Sequence, residues 1–383
     1  MNDIQQMIRE SAARYARETL APAAAKKDAE CGGETYVAHL RELAQLGFNG
    51  LCVREEYGGT NAGAVASALV LYEIGKACCS TAVAISINNM VAEVVQSNAG
   101  EELRRQFLPP LMTGDMPAVG FCLTESGAGS DPAAMSAAAV ADGDDFVING
   151  RKQWITSGEL AGFYVVWAKT DANAPKGRGI SCFLVARDTP GVSAGPPAKK
   201  MGQHASPSND IIFDNARVPK SHLLGGLNDG FRIAMGELAG GRIGVSAIAT
   251  GIADAALEAA RDYMLVREQH GKKLSEHQGL QWMLASRATE SAAAFELVML
   301  AARLKEQNRP HRKEAAMAKL FAADTAERTT RDALQIFGGY GYMRDLPLER
   351  YCRDTRLISI YEGSSEIQKI IIARELLREG AAG

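Results

Sequence analysis

Residues 116–227 contain the short apolar runs that decide the fold class: AVGFCLT (118–124), DFVING (145–150), GFYVVWAKT (162–170), GISCFLVAR (179–187) and NDIIFDNARV (209–218). Runs of this length, rich in β-branched and aromatic residues and bounded by turn residues, predict β-strands. Dipeptides such as Asn149-Gly150 indicate turns between them. Because no helix-length segment separates the runs, they favour an antiparallel sheet or barrel over a parallel β-α-β sheet.

The segment before these runs has a helical pattern. Apolar residues recur near a 3.6-residue period from residue 1 to about 115, which predicts helices near 35–46, 64–76, 82–97 and 101–113. We expect glycines and prolines, among them Pro22 and Pro109–Pro110, to end these helices.

The segment after Gly230 has the same helical pattern, with one helix predicted over about 312–337. No proline occurs from 220 to 309, so long helices that pack into bundles are permitted there. The chain is therefore predicted to be an α+β protein. We expect an N-terminal α-helical domain (1–115), a middle antiparallel β-barrel domain (116–227) and a C-terminal α-helical domain (228–383).

The composition excludes several classes of protein. A chain of 383 residues, 46% hydrophobic and 23% charged, is a globular protein of roughly two to three structural units. Its net charge is −3 and basic residues are not concentrated in any segment, so no nucleic-acid partner is expected. No run of 18 apolar residues predicts a membrane span. The seven cysteines lack C-x-x-C spacing and follow no secretory signal, which is typical of reduced thiols in a cytoplasmic protein.

Several catalytic motifs are also absent from the sequence. The nearest string to a dinucleotide-binding G-x-G-x-x-G motif is GAGSDP (127–132), which lacks the third glycine. There is no Walker-type phosphate loop and no G-x-S-x-G nucleophile motif. The six histidines include no pair at i, i+4 spacing, so no metal site is expected.

The first string with chemical character is FCLTESGAGSD (121–131), a strand that enters a glycine-rich loop with hydroxyl side chains. Such a loop exposes backbone N–H groups and lets a large flat or phosphorylated ligand approach the main chain. The alternative is a tight β-turn in which Thr124 and Ser130 bond to their own backbone.

The second string is KQWIT (152–156), placed at the start of a strand. Trp154 and Thr156 are two residues apart and would share one strand face. An indole there would pack against an aromatic ring system while the hydroxyl bonds its polar edge. Taken alone, the string favours Trp154 as a core residue.

The third string is ISIYEGSSEIQK (358–369), in which Glu362 follows an apolar run and Gly363-Ser-Ser supplies a loop and helix cap. Apolar surroundings disfavour an ionised carboxylate, raise its pKa and make it a stronger base once it ionises. The alternative is a solvated loop glutamate.

These strings, taken in order along the chain, resemble the acyl-CoA dehydrogenase family, especially its short- and medium-chain enzymes. The resemblance also rests on GGRIG (240–244), REQHGKKLSEHQ (267–278), KEAAMAKL (313–320) and QIFGGYGY (335–342), and it covers nearly the whole chain. It implies a helical domain, a β domain and a C-terminal four-helix bundle, with FAD between the last two. It also implies a homotetramer built as a dimer of dimers.

The resemblance implies a reaction as well. Glu362 would remove the α-proton of a short-chain acyl-CoA thioester while the β-hydride passes to flavin N5, giving the trans-2-enoyl-CoA. Electrons would then pass to an electron-transfer flavoprotein, as in the β-oxidation of fatty acids. The implied substrate-binding residues are Ser130, Arg242 and Gly363.

The implied FAD contacts come from two subunits. One subunit would supply Phe121, Leu123, Thr124, Ser130, Trp154, Ile155, Thr156, Ser364 and Glu366. The neighbouring subunit would supply Arg267, Gln278, Gln335, Gly338 and Gly339.

Some branched-chain and long-chain relatives carry the base on the helix just before the family arginine, where this chain has Gly241. Glycine cannot do acid–base chemistry, so Glu362 is the preferred base and Glu237, one helical turn away, a minor candidate. The chain departs from the family pattern at Ser126, usually proline, at Ala239, often aspartate, and at His270, usually phenylalanine.

Two alternatives remain open at this point. A protein of the same fold could act as an oxidase, or on a branched, cyclic or non-CoA substrate. A helical interaction protein without a cofactor is the other. Cytoplasmic localisation is expected, and a mature mitochondrial matrix form is the alternative.

Overall fold

The structure is a computed structural model that describes residues 2–382. Its N-terminal part is helical, as predicted, because small and apolar residues recur at helical spacing. The helices are α1 (Asp3–Tyr15), α2 (Ala21–Ala29), α3 (Gly33–Gln45), α4 (Gly63–Ala77), α5 (Cys79–Asn98) and α6 (Glu101–Thr113). The Asn2 side chain accepts a hydrogen bond from the Gln5 backbone N–H, and the Gln5 side chain accepts one from the Asn2 N–H; this capping box begins α1.

Two of the expected helix ends are wrong. A π-helical turn, Ala16–Leu20, joins α1 directly to α2, and Pro22 lies in the first turn of α2, where proline removes no needed donor. Pro109 and Pro110 lie inside α6, which continues to the left-handed Gly114. Burial of apolar α6 side chains such as Leu108 compensates for the hydrogen bonds that the prolines remove.

The described residues of the middle segment form eight strands: β1 (Ala118–Cys122), β2 (Ala138–Asp142), β3 (Asp145–Thr156), β4 (Ala161–Lys169), β5 (Ile180–Ala186), β6 (Val192–Ala194), β7 (Ser208–Pro219) and β8 (Leu223–Leu224). They form one sheet in the order β6-β7-β3-β2-β4-β5-β8, with β1 beside β4.

The sheet is mixed, so the expectation of an antiparallel domain needs correction. β1 and β2 both run parallel to β4, whereas the other paired strands are antiparallel. Residues 123–137, which include the glycine-rich loop, connect β1 to β2. A connection of this length need not form a hairpin, so it can return the chain in the same direction.

Asn149-Gly150 is not a turn but lies within β3. The register against β7 shifts between Ile148 and Gly150, and Gly150 has a φ of 149°. A Cβ at Gly150 would lie 2.7 Å from the Ala137 Cα, so this irregularity serves the close approach of the 123–137 connection. The string KQWIT accordingly ends β3 instead of starting a strand.

The C-terminal part is helical, as predicted: α7 (Gly230–Val266), α8 (Gln278–Glu306), α9 (Arg312–Phe337), α10 (Leu348–Ile358) and α11 (Ser365–Ala382). A short hairpin of β9 (Glu268–Gln269) and β10 (Lys272–Lys273) joins α7 to α8. α7 packs against α4, α5, α8 and α9, and it also contacts β5. This central helix therefore links the three segments.

The apolar cores cross the segment boundaries. One core joins α4 and α5 to α7, α8 and α9, and a second joins α5 and α6 to the sheet. By length and composition α7 could cross a membrane, with a mean hydropathy of 1.4 over its most apolar window, but 78% of that window is buried inside the protein. This is the burial that a central core helix has in a globular fold.

Candidate active site

A chamber of about 530 Å³ lies where the sheet meets α5, α7 and α11. It brings together most of the residues singled out in the sequence. The lining includes Phe121, Leu123, Thr124, Ser130, Trp154, Ile155, Thr156, Arg242, Glu362 and Gly363. Residues from all three strings thus line one space, although the third string is more than 200 positions from the other two along the chain.

The glycine-rich loop is fixed by a buried ion pair. Lys152, which is fully buried, donates from Nζ to Glu125 Oε1 at 2.7 Å and to the Leu123 carbonyl at 3.2 Å. The other Glu125 oxygen accepts hydrogen bonds from the Ser136 backbone and hydroxyl, both at 2.6 Å. The tight turn considered above does exist at the loop tip, from Glu125 to Ala128, but Thr124 and Ser130 line the chamber.

Trp154 is not a core residue. It lies where the β3–β7 register shifts between Lys152 and Ile155, has a φ of 58° and is 61% exposed. A positive φ is costly for a bulky residue, and strained backbone of this kind clusters at functional sites. The bulge turns the indole to the chamber instead of the sheet interior.

Glu362 lies in a loop with an unusual backbone. Glu362 and Gly363 have φ values of 55° and 86°, both in the left-handed region. The Glu362 carbonyl accepts hydrogen bonds from Arg242 Nε at 3.2 Å and Gln368 Nε2 at 3.1 Å. The Gly363 carbonyl accepts bonds from Lys319 Nζ at 2.8 Å and Gln368 Nε2 at 2.7 Å. Buried donors from α7, α9 and α11 therefore hold the loop in place.

The Glu362 carboxylate is not that of a solvated loop. Its Oε2 atom is buried and has no hydrogen-bond partner among the described residues. Burial raises the pKa of Glu362 above its ordinary value, while the positive charges of Arg242 and Lys319 act in the opposite direction. A carboxylate with a raised pKa, in the wall of a chamber and without a hydrogen-bond partner on one oxygen, has the chemistry of a general base.

Two of the positions considered for the base, Gly241 and Glu362, lie next to each other. A Cβ at Gly241 would lie 2.9 Å from Glu362 Oε2, so glycine leaves the space that the carboxylate occupies. Glu237 lies beside the Glu93–Lys305 ion pair, in which the two charged atoms are 2.7 Å apart. Burial, and then the charge of Glu93, raise the pKa of Glu237 well above its ordinary value, while Lys305 lowers it.

The remaining residues lie outside this chamber. A second cavity of about 520 Å³ includes Arg267, Gly338 and Gly339, and the Arg267 guanidinium lies 5.7 Å from the centroid of the Tyr340 ring. Gln278 begins α8, Gln335 lies near the end of α9, and both are exposed. Within one chain these residues are thus separate from the first chamber.

Ser364 and Glu366 are at the start of α11, next to the Glu362 loop. Hydrogen bonds from its own backbone N–H and from Ser364 lower the pKa of the exposed Glu366. Neither residue lines the first chamber.

The three departures from the family pattern have different surroundings. Ser126 is exposed at the tip of the loop, and Ala239 is buried on α7. His270 has a φ of 52° and, with Gly271, forms the two-residue turn of the β9–β10 hairpin.

Sequence reasoning missed four residues that shape the chamber: Glu125, Lys152, Lys319 and Gln368. Three of these side chains are fully buried and Glu125 is 5% exposed. Lys152 and Lys319 stand in the strings KQWIT and KEAAMAKL, and only Lys319 gave a signal, because it lies between apolar residues. The partner of each lysine is distant in sequence and was not detectable.

The three segments match family models of known proteins. Residues 2–115, 120–216 and 228–377 match the N-terminal, middle and C-terminal domains of acyl-CoA dehydrogenase. The chain therefore belongs to the acyl-CoA dehydrogenase family, whose members are FAD-dependent oxidoreductases.

Individual relatives are similar over 90% or more of their length. The chain is 40% identical over 381 residues to the mitochondrial isobutyryl-CoA dehydrogenase of Dictyostelium discoideum, covering 99% of this chain and 90% of that protein. The butyryl-CoA dehydrogenase structure of Megasphaera elsdenii matches with a TM-score of 0.95 at 36% identity, over 98% and 99% of the two chains. A chain in a structure reported for the electron transferring flavoprotein of Acidaminococcus fermentans matches with a TM-score of 0.96 at 41% identity, over 99% of each chain.

The residues present fit FAD. Trp154 offers an exposed indole face on one cavity, and Gly127 and Gly129 of the loop have open space where a Cβ would point. Gly338 and Gly339 have the same open space at the second cavity. Such glycines let a ligand approach the backbone closely. Among residues 2–382, no group of three or more His, Cys, Asp or Glu side chains is placed to hold a metal ion.

Proposed function

We propose that the protein is an acyl-CoA dehydrogenase that oxidises a short-chain acyl-CoA to the trans-2-enoyl-CoA, with Glu362 as the catalytic base. The observation that carries this proposal is the position of Glu362 on the wall of the chamber that Trp154 and the glycine-rich loop also line, with its Oε2 atom buried and without a hydrogen-bond partner among residues 2–382. The similarity to butyryl-CoA and isobutyryl-CoA dehydrogenases supports an acyl group of short length.

The chamber has the chemical features that this reaction needs. Apolar side chains of α5 and α7, among them Val83, Ile87 and Leu238, offer an acyl chain a water-poor surface next to Glu362. There the Glu362 carboxylate would accept the α-proton of the thioester. Its raised pKa brings it closer to that of the carbon acid and strengthens it as a base. FAD, when bound, supplies the acceptor for the hydride that leaves the β-carbon.

The other binding residues receive proposed roles from their positions. Phe121, Leu123, Thr124, Ser130, Trp154, Ile155 and Thr156 would hold the flavin side of the chamber, with Ser364 and Glu366 at the start of α11. Arg267, Gln278, Gln335, Gly338 and Gly339 would serve the FAD of a neighbouring subunit. Ser130, Arg242 and Gly363 would contact the acyl-CoA.

The electron acceptor, the oligomeric state and the cellular setting of the reaction are also proposals. An electron-transfer flavoprotein is the proposed acceptor, supported by the similarity to the chain in the Acidaminococcus fermentans structure. The domain boundaries at 115 and 227, the homotetramer, the role in β-oxidation and the cytoplasmic location stay predictions from the sequence and the resemblance.

Anaerobic flavin bleaching tests the proposal. Purified protein carrying FAD should lose its flavin absorbance on mixing with butyryl-CoA. Glu362→Gln should keep FAD and bind acyl-CoA but lose at least about 10²-fold in the rate of flavin reduction. Glu379→Gln, the same change at an exposed site on α11, is the matched control and should reduce at the wild-type rate.

A branched substrate is the second candidate, favoured by the identity to isobutyryl-CoA dehydrogenase. Comparing butyryl-CoA with isobutyryl-CoA in the same assay separates the two, and hydrogen peroxide production without an added acceptor would instead reveal an oxidase. If no short, branched or cyclic acyl-CoA bleaches the flavin, the dehydrogenase proposal is wrong. Protein that stays colourless after incubation with FAD would favour the non-catalytic alternative.

A further inference from the structure

Two buried cations lie beside the Glu362 loop without an ion-pair partner. Lys319 on α9 is fully buried and Arg242 on α7 is 4% exposed. Within the described chain, neither has a carboxylate oxygen within 4.0 Å, and both donate instead to backbone carbonyls of the loop. Burying a cation away from a direct counter-charge is costly, so each position calls for a compensating role.

The donors reach two consecutive carbonyls from three different helices. Lys319 bonds the Gly363 carbonyl, Arg242 the Glu362 carbonyl, and the fully buried Gln368 bonds both. Left-handed backbone at a non-glycine residue such as Glu362 is strained and persists only where its surroundings hold it. These hydrogen bonds provide that hold and thereby fix where the carboxylate points.

The positive charge of Lys319 also lowers the pKa of Glu362 and so favours its ionised form. The titratable groups that interact with Glu362 are Arg242 and Glu237 from α7, Lys319 from α9 and the adjacent Tyr361, while the nearby Met90 from α5 is neutral. Two more cations, Arg312 and Arg374, line the chamber. Asp324 and Glu366 act on Lys319 itself.

Glu362 is the carboxylate that acts most strongly on Lys319. Burial lowers the pKa of Lys319 to about 8, and the nearby Glu362 opposes this shift, so the ammonium is largely charged at neutral pH. A fixed positive charge stabilises an ionised carboxylate in a chamber that disfavours ionisation.

We propose that Lys319 is a positioning residue for the base: its ammonium holds the Gly363 carbonyl and keeps Glu362 ionisable in its buried position. Gln368 shares the first of these functions but not the second. This inference rests on the proposed function, because it assigns Glu362 the role of base.

The test uses the pH dependence of flavin reduction in the FAD-loaded protein. Lys319→Met removes the charge while keeping an unbranched side chain, so the acid limb of the pH profile should move upward by about 1 unit or more. Lys313→Met removes the same charge from the outer part of α9, where Lys313 pairs with Glu379, and should leave the profile in place. Gln368→Met should slow flavin reduction without moving the midpoint, because it removes donors but no charge.

A second readout measures the Glu362 carboxyl directly. Its protonated C=O band in pH-difference infrared spectra, assigned by its loss in Glu362→Gln, should titrate at higher pH in Lys319→Met. An unmoved midpoint in both measurements would leave Lys319 with a structural role only and overturn the inference.

Two further outcomes are separated by design. If Lys319→Met does not fold, Lys319→Gln replaces it, since the amide keeps a donor for the Gly363 carbonyl without the charge and must show the same upward shift. If wild-type protein carrying FAD is not reduced by any acyl-CoA, the proposed function fails, whereas the infrared titration still reports on Lys319.

Discussion

Gly241→Ala tests how closely the base is packed against α7. A Cβ at Gly241 would lie 2.9 Å from Glu362 Oε2 and 2.5 Å from Met90 Sδ. Ordinary contacts begin near 3.4 Å, so the carboxylate must move by about 0.5 Å and the flexible methionine sulfur by about 0.9 Å. The substitution therefore displaces the base without altering its chemistry.

The expected effect follows from these distances. A misplacement of about 1 Å costs about 10²-fold in rate, so a shift of half that size should slow flavin reduction by roughly 10-fold. Overpacking costs about 1–3 kcal/mol, whereas replacing a helical glycine by alanine gains about 1 kcal/mol. The net change in the free energy of unfolding should be a loss of about 0–2 kcal/mol.

Gly236→Ala is the matched control on the same helix. Apart from its chain neighbours and the backbone of its own helix, no described atom lies within 4 Å of a Cβ at Gly236, so only helix propensity applies and stability should rise by up to about 1 kcal/mol. Anaerobic stopped-flow reduction by butyryl-CoA and urea unfolding measure the two effects. If the flavin of Gly241→Ala is reduced as fast as that of Gly236→Ala, the Glu362 carboxylate does not pack against Gly241 and the prediction is wrong.

Two further predictions concern buried charges. Lys152→Met leaves the buried Glu125 without its ion-pair partner and should lower the free energy of unfolding in urea by about 3–5 kcal/mol. The control Arg151→Met breaks an exposed pair with Asp210 and should lower it by under about 1 kcal/mol. Equal losses would refute the role given to the Lys152–Glu125 pair. Burial raises the pKa of Glu362 in the folded state. Between the ordinary glutamate pKa and the raised one, the native protein therefore binds more protons than the unfolded chain. Over that range Glu362 makes the free energy of unfolding fall as pH rises, by at most about 1.4 kcal/mol per pH unit. Glu362→Gln should therefore be more stable than wild type at neutral pH and equally stable below about pH 4, measured by urea unfolding at fixed protein concentration; a difference independent of pH would contradict the raised pKa.

Much of the architecture was predictable because its signals are local. The helix predicted over about 312–337 is α9 (Arg312–Phe337), and the one predicted near 101–113 is α6 (Glu101–Thr113). Periodicity reports which face of one element is apolar, and that face is buried in both helices. The prolines inside α6 and Asn149-Gly150 inside β3 misled because packing by distant residues outweighed their local preference.

In the site, too, local features were predictable from the sequence and long-range contacts were not. The three strings were recognisable as chemical because each combines polar groups with glycine or apolar neighbours within a few positions. The exposure of Trp154 could not be read from KQWIT, since it depends on a register shift against β7, more than 50 positions away. Nor could the sequence relate Gly241 to Glu362, which meet through the packing of α7 against the loop before α11.

The sequence by itself determined the helix–sheet–helix order and the residue types available for catalysis, because periodicity and short-range spacing depend only on neighbouring residues. Only the tertiary structure decided the parallel placement of β1 and β2, the burial of the Lys152–Glu125 pair and the enclosure of Glu362 by Arg242, Lys319 and Gln368. Those features depend on distances between residues far apart in the chain. The burial and the charges that such contacts impose raise the pKa of Glu362 and hold its loop in place.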